Sequence, residues 1–309
     1  MKNKAPVVIT SKQAKQQINH FGRSLLIYIL IFMGVRYGSH ELFSRFPQLL
    51  FGFDEEIARL LLLGAALLFV TLIPFTISSI ALRLDIRDYL RNPRLRIDRV
   101  IALICIGIGV NLTVTSLSTL FYFFFHTDTI TYSFLGDFST QDMLMKNLVY
   151  LALFALIKPI CDEYIFRGII QRQLGHYGRY FGVLGAAMLY AIAQPTLMEA
   201  IPAFAVGWYL SLITLRYHSI RPAIWVHIWL ELFLFGMAVI PGNYLWVVTI
   251  FIVLIYLFAG LFLFQKRVDT NIIRYGATEW KLWRILLTSF SILLCIVLFI
   301  INAVITLQI

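Results

Sequence analysis

Residues 147–168 read NLVYLALFALIKPICDEYIFRG, an apolar run that ends in closely spaced charges. About 20 apolar residues in a helix cross a ~30 Å hydrocarbon core, so this stretch predicts a membrane-spanning helix. A charge at membrane depth is costly unless it is paired or hydrated. The adjacent carboxylates Asp162 and Glu163, followed by Arg167, therefore mark this helix as a candidate functional element.

The same composition extends along the chain. Of its 309 residues, 60% are hydrophobic and only 14% are charged, whereas about a quarter of a soluble domain is charged. We predict an all-α, polytopic transmembrane helix bundle with nine spans, or eight, and with its N-terminus in the cytoplasm. The predicted spans are 24–42, 57–82, 100–125, 147–166, 181–195, 200–215, 222–240, 244–264 and 285–307.

The basic residues predict how the bundle is oriented. The formal net charge is +10, and 21 of the 26 Lys and Arg residues fall on one side if the N-terminus is cytoplasmic. This asymmetry is the positive-inside pattern. The basic residues would therefore orient the protein in the membrane and contact anionic lipid at the cytoplasmic loops. This explanation of the net charge disfavours nucleic acid as a partner. The basic segments are 1–23, 83–99, 167–179, 216–221 and 265–284.

No linker or low-complexity run divides the chain, so the predicted layout follows the spans. We expect a basic cytoplasmic N-terminus over 1–23 and a first group of spans over 24–145. A core bundle that carries the polar site follows over 146–240, and further spans occupy 241–309. The three cysteines are too scattered along these spans to indicate a zinc motif.

Two carboxylates close the helix in span 4. Glu163 and Arg167 are four residues apart, so they share a face and can form an ion pair. Asp162 points about 100° away around the helix. One carboxylate can thus be tied to arginine while the other acts as a general base. The alternative is an ordinary charged helix end at the cytoplasmic interface.

A second polar pair lies in span 7, where His227 and Glu231 are four residues apart in an apolar helix. An intramembrane pair of this kind indicates a functional site. The alternative is a hydrogen-bonded pair that joins helices. Catalytic zinc usually has three protein ligands, so a metal site would also need Asp162 or Glu163. We expect no cofactor, with zinc as the alternative.

The order and spacing of these residues resemble the CPBP family, which includes CAAX proteases and bacteriocin-processing enzymes. Residues 162–167 are similar to the family's EExxxR signature, and residues 190–194 lie where the family has FxxxH. Residues 207–231 are similar to the third block, in which a histidine is followed four residues later by Asn or another polar residue. The resemblance covers roughly 160–232.

The resemblance implies a protease that activates water inside the membrane with a carboxylate and histidines. Its substrate would be a membrane-embedded or membrane-proximal peptide or protein. Asp162 would be the base, with Glu163 and Arg167 as its structural support. Gln194 would take the place of the second histidine, and His227 and Glu231 would form the oxyanion pair.

Three of these positions depart from the family's pattern. Asp162 is one methylene shorter than glutamate, and a base misplaced by about 1 Å can lose about a hundredfold in rate. Gln194 can hold a water molecule but cannot relay a proton. An ionised Glu231 in place of asparagine would repel an oxyanion.

Two classes of function are therefore open. The retained Glu163, Arg167 and His227 favour an intramembrane endopeptidase. The substitutions at 162 and 194 favour a catalytically silent relative that binds an envelope protein or confers bacteriocin self-immunity. A small transporter is a third class, disfavoured because the sequence lacks broken helices in corresponding halves. In each case we expect a multi-pass protein of the bacterial cytoplasmic membrane.

The site residues should share one location. Asp162, Glu163, His227 and Glu231 would each be costly in lipid alone, whereas together they can be satisfied. We therefore expect spans 4, 5 and 7 to pack around one polar cavity that opens toward the cytoplasmic half.

The charge asymmetry also generates a test of topology. We expect the N-terminus and the loops 83–99 and 265–284 to be cytoplasmic, and Ile309 to lie outside, because 21 of 26 basic residues then lie inside. Labelling of single introduced cysteines with a membrane-impermeant reagent measures this. Labelling of loop 83–99 from the outside of intact cells would contradict the orientation.

Overall fold

The computed structural model describes residues 11–84, 89–91, 93, 95–125, 141–238 and 280–308. Every regular element in these residues is a helix. The predicted all-α fold is thus confirmed. It is the expected outcome for backbone in lipid, where a helix satisfies its own hydrogen bonds.

Nine helices occupy the described residues, with a 3₁₀ turn at Pro47–Leu50 between the first two. The first four helices are α1 (Ser11–Arg45), α2 (Glu55–Ala81), α3 (Ile97–Phe125) and α4 (141–175). The remaining five are α5 (Arg179–Ile192), α6 (Leu197–Tyr217), α7 (Arg221–Ala238), α8 (Trp280–Leu287) and α9 (Phe290–Gln308).

Several of these helices can cross a membrane. By length and apolarity α1, α2, α3, α4 and α6 qualify, and the pair α8–α9, bent by 65°, makes a sixth candidate. The chain is therefore an integral membrane protein. The predicted span 181–195 corresponds to α5, an apolar helix of only 14 residues, and the span 244–264 lies outside the described residues. The count of nine spans and the orientation of the N-terminus stay predictions.

The start of α7 is fixed by contacts of its N-terminal turn. The Ser219 hydroxyl accepts a hydrogen bond from the Arg221 N–H at 3.2 Å and donates to the Arg91 carbonyl at 2.7 Å. The next residue, Ile220, donates its N–H to the Tyr89 carbonyl at 3.0 Å. These bonds satisfy backbone groups that a helix end leaves open, so α7 begins at a defined point.

Helix α4, which carries both carboxylates, is irregular. Wide π-helical turns occupy Leu151–Ile157 and Glu163–Gln171, on either side of the segment Lys158–Asp162. Pro159 contributes to this irregularity because it has no N–H and its ring crowds the carbonyl of Ala155. Wide turns of this kind are frequent at functional sites.

Two hydrophobic cores lie on either side of the site. The larger one includes Phe21 of α1, Phe166 of α4 and Ile292 of α9, all fully buried. A smaller one joins α6 and α7 through residues such as Leu210 and Val226. Since α4 belongs to the first core and α7 to the second, the polar groups between these helices are held from both sides.

The packing of α5 against α4 depends on Gly182. A methyl group there would lie 2.8 Å from backbone atoms of Gly175 and 2.9 Å from the Gln171 carbonyl, and backbone cannot move aside easily. We expect Gly182→Ala to lower the thermal unfolding midpoint in detergent, by the equivalent of about 1–3 kcal/mol. Gly34→Ala, which meets nothing within 4 Å, is the matched control and should not lower it. Equal midpoints would contradict this packing.

Candidate active site

The first carboxylate of the site pairs with a lysine of its own helix. Lys158 Nζ lies 2.9 Å from Asp162 Oδ2, and the four-residue spacing puts both side chains on one face of α4. The Asp162 side chain is 0% exposed and that of Lys158 is 19% exposed. As the sequence predicted, Asp162 points away from Arg167, the partner of Glu163. No ion pair was predicted for Asp162, whereas in the structure it pairs with Lys158.

The second carboxylate joins α4 to α7. Glu163 Oε1 accepts a hydrogen bond from Arg167 Nη1 at 3.0 Å, in the predicted ion pair. The same oxygen lies 2.9 Å from His227 Nδ1. All three side chains are at most 1% exposed. One carboxylate oxygen therefore connects the motif of span 4 to the histidine of span 7.

Arg167 is the largest fully buried side chain in the described residues, and it contacts two further helices. Its Nη2 donates to the Gly207 carbonyl of α6 at 3.0 Å, and its guanidinium carbon lies 4.8 Å from the centre of the Tyr190 ring of α5. Gly207 allows this approach, since a Cβ there would lie 3.3 Å from Nη2. The planar guanidinium thus joins α4, α5 and α6.

Both ring nitrogens of His227 face protein groups. Nδ1 bonds to Glu163, while Nε2 lies 3.5 Å from Glu231 Oε1 and 3.5 Å from the Tyr190 hydroxyl. The hydrogen bond at Nδ1 fixes the orientation of the ring. His227 and Glu231 lie on one face of α7, as their spacing predicted. The Glu231 carboxylate faces the imidazole ring, so it acts as an acceptor toward His227 and not as a second hydrogen-bond donor for an oxyanion.

The charges of the cluster can balance. There are three carboxylates, and there are three cations if the imidazole is protonated. Pairing of this kind offsets the desolvation that makes isolated charges costly in a medium of low polarity. The anions are Asp162, Glu163 and Glu231, and the cations are Lys158, Arg167 and His227.

Two buried carboxylate oxygens have no hydrogen-bond partner among the described residues. They are Asp162 Oδ1 and Glu163 Oε2. Each carboxylate is thus held through one oxygen and has a second that can accept a proton or a hydrogen bond. Two members of the cluster are partly exposed: the side chain of Lys158 is 19% exposed and that of Glu231 is 20% exposed.

Gln194 does not take the place of a second histidine in the cluster. Its Nε2 donates at 3.0 Å to the Tyr190 carbonyl of α5, the helix that ends two residues before it. The residue of α5 that reaches His227 is instead Tyr190, one turn earlier. Of the six predicted residues, direct contacts join Glu163, Arg167, His227 and Glu231, and Asp162 adjoins them in the chain.

Sequence reasoning missed two members of the cluster. Lys158 precedes Asp162 by four residues, the same spacing that predicted the pair of Glu163 and Arg167, so a signal for it was available. Tyr190 fills the aromatic position of the second motif. Its stacking on Arg167 depends on how α5 packs against α4, for which spacing gives no signal.

The described residues contain no group of three or more His, Cys, Asp or Glu side chains arranged to hold a metal ion. The two carboxylates nearest His227 contact it as hydrogen-bonding and ionic partners. The expectation that the site works without a cofactor stays a prediction.

Fold and site together define a multi-pass helical membrane protein with a buried carboxylate–histidine cluster between its helices. Residues 144–233 match the family described as type II CAAX prenyl endopeptidase, Rce1-like. This match agrees with the resemblance to CAAX-type proteases that the motifs predicted, and it covers fewer than a third of the residues of the chain. The matched segment contains all six predicted site residues. Neither a curated protein nor a solved structure gives a significant match to the chain.

The buried ion pair generates a stability test. Arg167→Ala would leave Glu163 charged and short of a partner, which costs about 3–5 kcal/mol in comparable pairs. We expect less protein in the membrane and a lower unfolding midpoint. Arg167→Lys keeps the charge but not the two-point contact to Glu163 and Gly207, so its loss should be smaller.

Arg45→Ala is the matched control, since its ion pair with Glu41 is exposed and should contribute little. Immunoblotting of membranes and thermal unfolding in detergent compare the variants. If Arg167→Ala proved as stable and abundant as Arg45→Ala, the structural role of Arg167 would be wrong.

Proposed function

We propose that the protein is an intramembrane endopeptidase that cleaves a membrane-embedded or membrane-proximal peptide with a carboxylate-activated water molecule. The observation that carries the proposal is the 2.9 Å contact between Glu163 Oε1 and His227 Nδ1. This contact joins the first and third motifs of a protease family inside a buried site. The family match supports proteolysis as the class of reaction.

Asp162 is the general base of the proposed reaction. Lys158 holds its Oδ2, and its Oδ1 has no partner among the described residues. Oδ1 removes a proton from water while the water oxygen attacks the carbonyl carbon of the scissile amide. The proton then passes to the amide nitrogen as the C–N bond breaks, which leaves a carboxyl and an amino terminus.

His227 stabilises the charge that develops on the carbonyl oxygen. Its Nδ1–H donates to Glu163, so the imidazole must be protonated for Nε2–H to be the available donor. Glu231 lies 3.5 Å from Nε2, which is longer than an ordinary hydrogen bond. A substrate carbonyl oxygen at hydrogen-bonding distance from Nε2 can therefore compete with Glu231 for this proton.

The surroundings of the site suit an apolar, membrane-anchored substrate. The partly exposed side of the cluster is formed by Lys158 and Glu231. On other faces of α4 and α7 lie exposed apolar side chains, with Ile160 at 47% and Trp229 at 50% exposure. A peptide segment can approach along these helices without leaving the hydrocarbon region.

The proposed location is the bacterial cytoplasmic membrane, with anionic lipid as a partner of the basic segments. Support comes from the charge asymmetry of the sequence. In the described part of the chain, one face of the first turns of α1 forms a basic cleft lined by Lys12, Lys15, His20 and Arg23.

A catalytically silent scaffold is the second candidate. It is favoured by the closed contacts of the cluster, since both nitrogens of His227 face carboxylates and Gln194 uses its amide on the Tyr190 carbonyl. Such a protein would bind an envelope protein or confer bacteriocin self-immunity. Its cluster would serve only to hold the helices together.

The test compares new protein N-termini in membranes of cells that express the wild type, Asp162→Ala or His227→Ala. Loss of a base or of one oxyanion donor typically costs about 10²–10³ in rate. We therefore expect one set of cleaved membrane proteins to be present with the wild type and absent with both variants. Quantitative mass spectrometry of N-terminal peptides measures it.

Controls separate chemistry from folding. Asp98→Ala and His40→Ala replace the same residue types at exposed positions and should leave the set unchanged. Each variant is compared at equal abundance in the membrane. Wild-type cleavage by both site variants, or no new N-termini with the wild type, would refute the protease and favour the scaffold.

A further inference from the structure

Asp162 meets a physical difficulty as a base. Its side chain is 0% exposed, and a buried carboxylate that lacks a partner takes up a proton rather than remain charged. A protonated acid cannot accept the proton of a water molecule. Some group must therefore hold Asp162 in its charged form, and among the described residues its ion pair is with Lys158, at 2.9 Å.

We propose that Lys158 is a positioning residue that holds Asp162 charged and oriented for hydrolysis. The inference rests on the proposed protease function and assigns a role to a residue outside the family-like motifs. In this arrangement α4 itself supplies the charged group beside the base. Gln194, which stands where the family-like motif has a second histidine, cannot carry a charge.

The ion pair divides the Asp162 carboxylate into two unlike oxygens. Oδ2 accepts from the Lys158 ammonium, and Oδ1 has no partner among the described residues. The short aspartate side chain keeps the carboxylate close to α4, within reach of a long lysine on the preceding turn. Asp162, which replaces the glutamate of the family-like motif, is short, and Lys158 is long enough to reach it.

The Lys158 ammonium lies at the partly exposed edge of the cluster. It is 19% exposed whereas its partner is fully buried, so the longer side chain can keep its head at the open edge of the cluster. Ionisable groups of five helices lie within electrostatic range of it. Besides Asp162, these groups are Tyr28 of α1, Tyr150 of α4, Tyr190 of α5, Glu199 of α6 and Glu231 of α7.

Infrared spectroscopy tests the charge state without any substrate. The full-length protein, labelled with ¹³C-aspartate and placed in phosphatidylglycerol nanodiscs, is compared with Lys158→Met, Lys158→Arg and the double variant Lys158→Met/Asp162→Asn. We expect Lys158→Met to gain the carbonyl stretch of a protonated aspartic acid. The band should be absent from Lys158→Arg, which keeps the cation, and from the double variant, which lacks the acid.

The cleavage assay tests the role in the reaction. At equal abundance, Lys158→Met should slow the appearance of new N-termini after induction by about 10²-fold or more, the contribution of a general base. Lys158→Arg should retain most of the rate, and Lys158→Gln repeats the loss if the Met variant does not accumulate. Lys146→Met is the matched control, because Lys146 lies in the same helix and pairs with Glu56 outside the site.

The outcomes separate the two proposals. Unchanged aspartate bands in Lys158→Met, or wild-type cleavage by that variant, overturns the role of Lys158 and leaves the protease proposal intact. An equal loss in Lys146→Met also overturns it, because the effect would then be one of folding. Absence of cleavage by the wild type, even with the acid band present in Lys158→Met, overturns the protease and the role of Lys158 in it.

Discussion

A single carboxylate oxygen, Glu163 Oε1, holds the centre of the bundle together because it is shared by Arg167 and His227. All three groups are almost completely buried, so none of them can be satisfied by water at the surface. Removing any one of them leaves an unpaired polar group in a medium of low polarity. The positions of α4 and α7 are therefore set by charge pairing as well as by apolar packing.

Close approach of helices makes that pairing feasible. Arg167 reaches the Gly207 carbonyl because no Cβ stands between α6 and the guanidinium, and Gly182 lets α5 lie against the end of α4. Small residues at helix contacts are the usual means of such packing in membranes. The wide turns of α4 add to it, since they alter the direction of side chains on either side of Pro159.

The sequence predicted what depends on spacing within one helix. Helical class, the pair of Glu163 and Arg167, and the shared face of His227 and Glu231 all follow from a repeat of 3.6 residues. Contacts between helices, such as that of Glu163 with His227, depend on packing that a single sequence does not encode in its spacing. The same limit explains why Gln194, placed in the site by motif order, bonds to the Tyr190 carbonyl instead. Hydropathy also predicted a span at 181–195, whereas the helix there, α5, has only 14 residues, fewer than a bilayer requires.

Adjacent carboxylates with opposite pairing directions support the proposed division of roles in the site. Asp162 pairs with the residue four before it, at the partly exposed edge, whereas Glu163 pairs with the residue four after it, in the enclosed interior. The two acids are neighbours in sequence, but their partners Lys158 and Arg167 are nine residues apart, more than two helical turns. In the proposed reaction, Asp162 can therefore meet the substrate while Glu163 remains structural. Since both pairs are local to α4, they do not depend on a titratable residue at the position of Gln194. Hydrolysis at such a site requires Asp162, held by Lys158, and His227 to meet one water molecule and one carbonyl, so the packing of α4 against α7 sets the geometry of the proposed reaction.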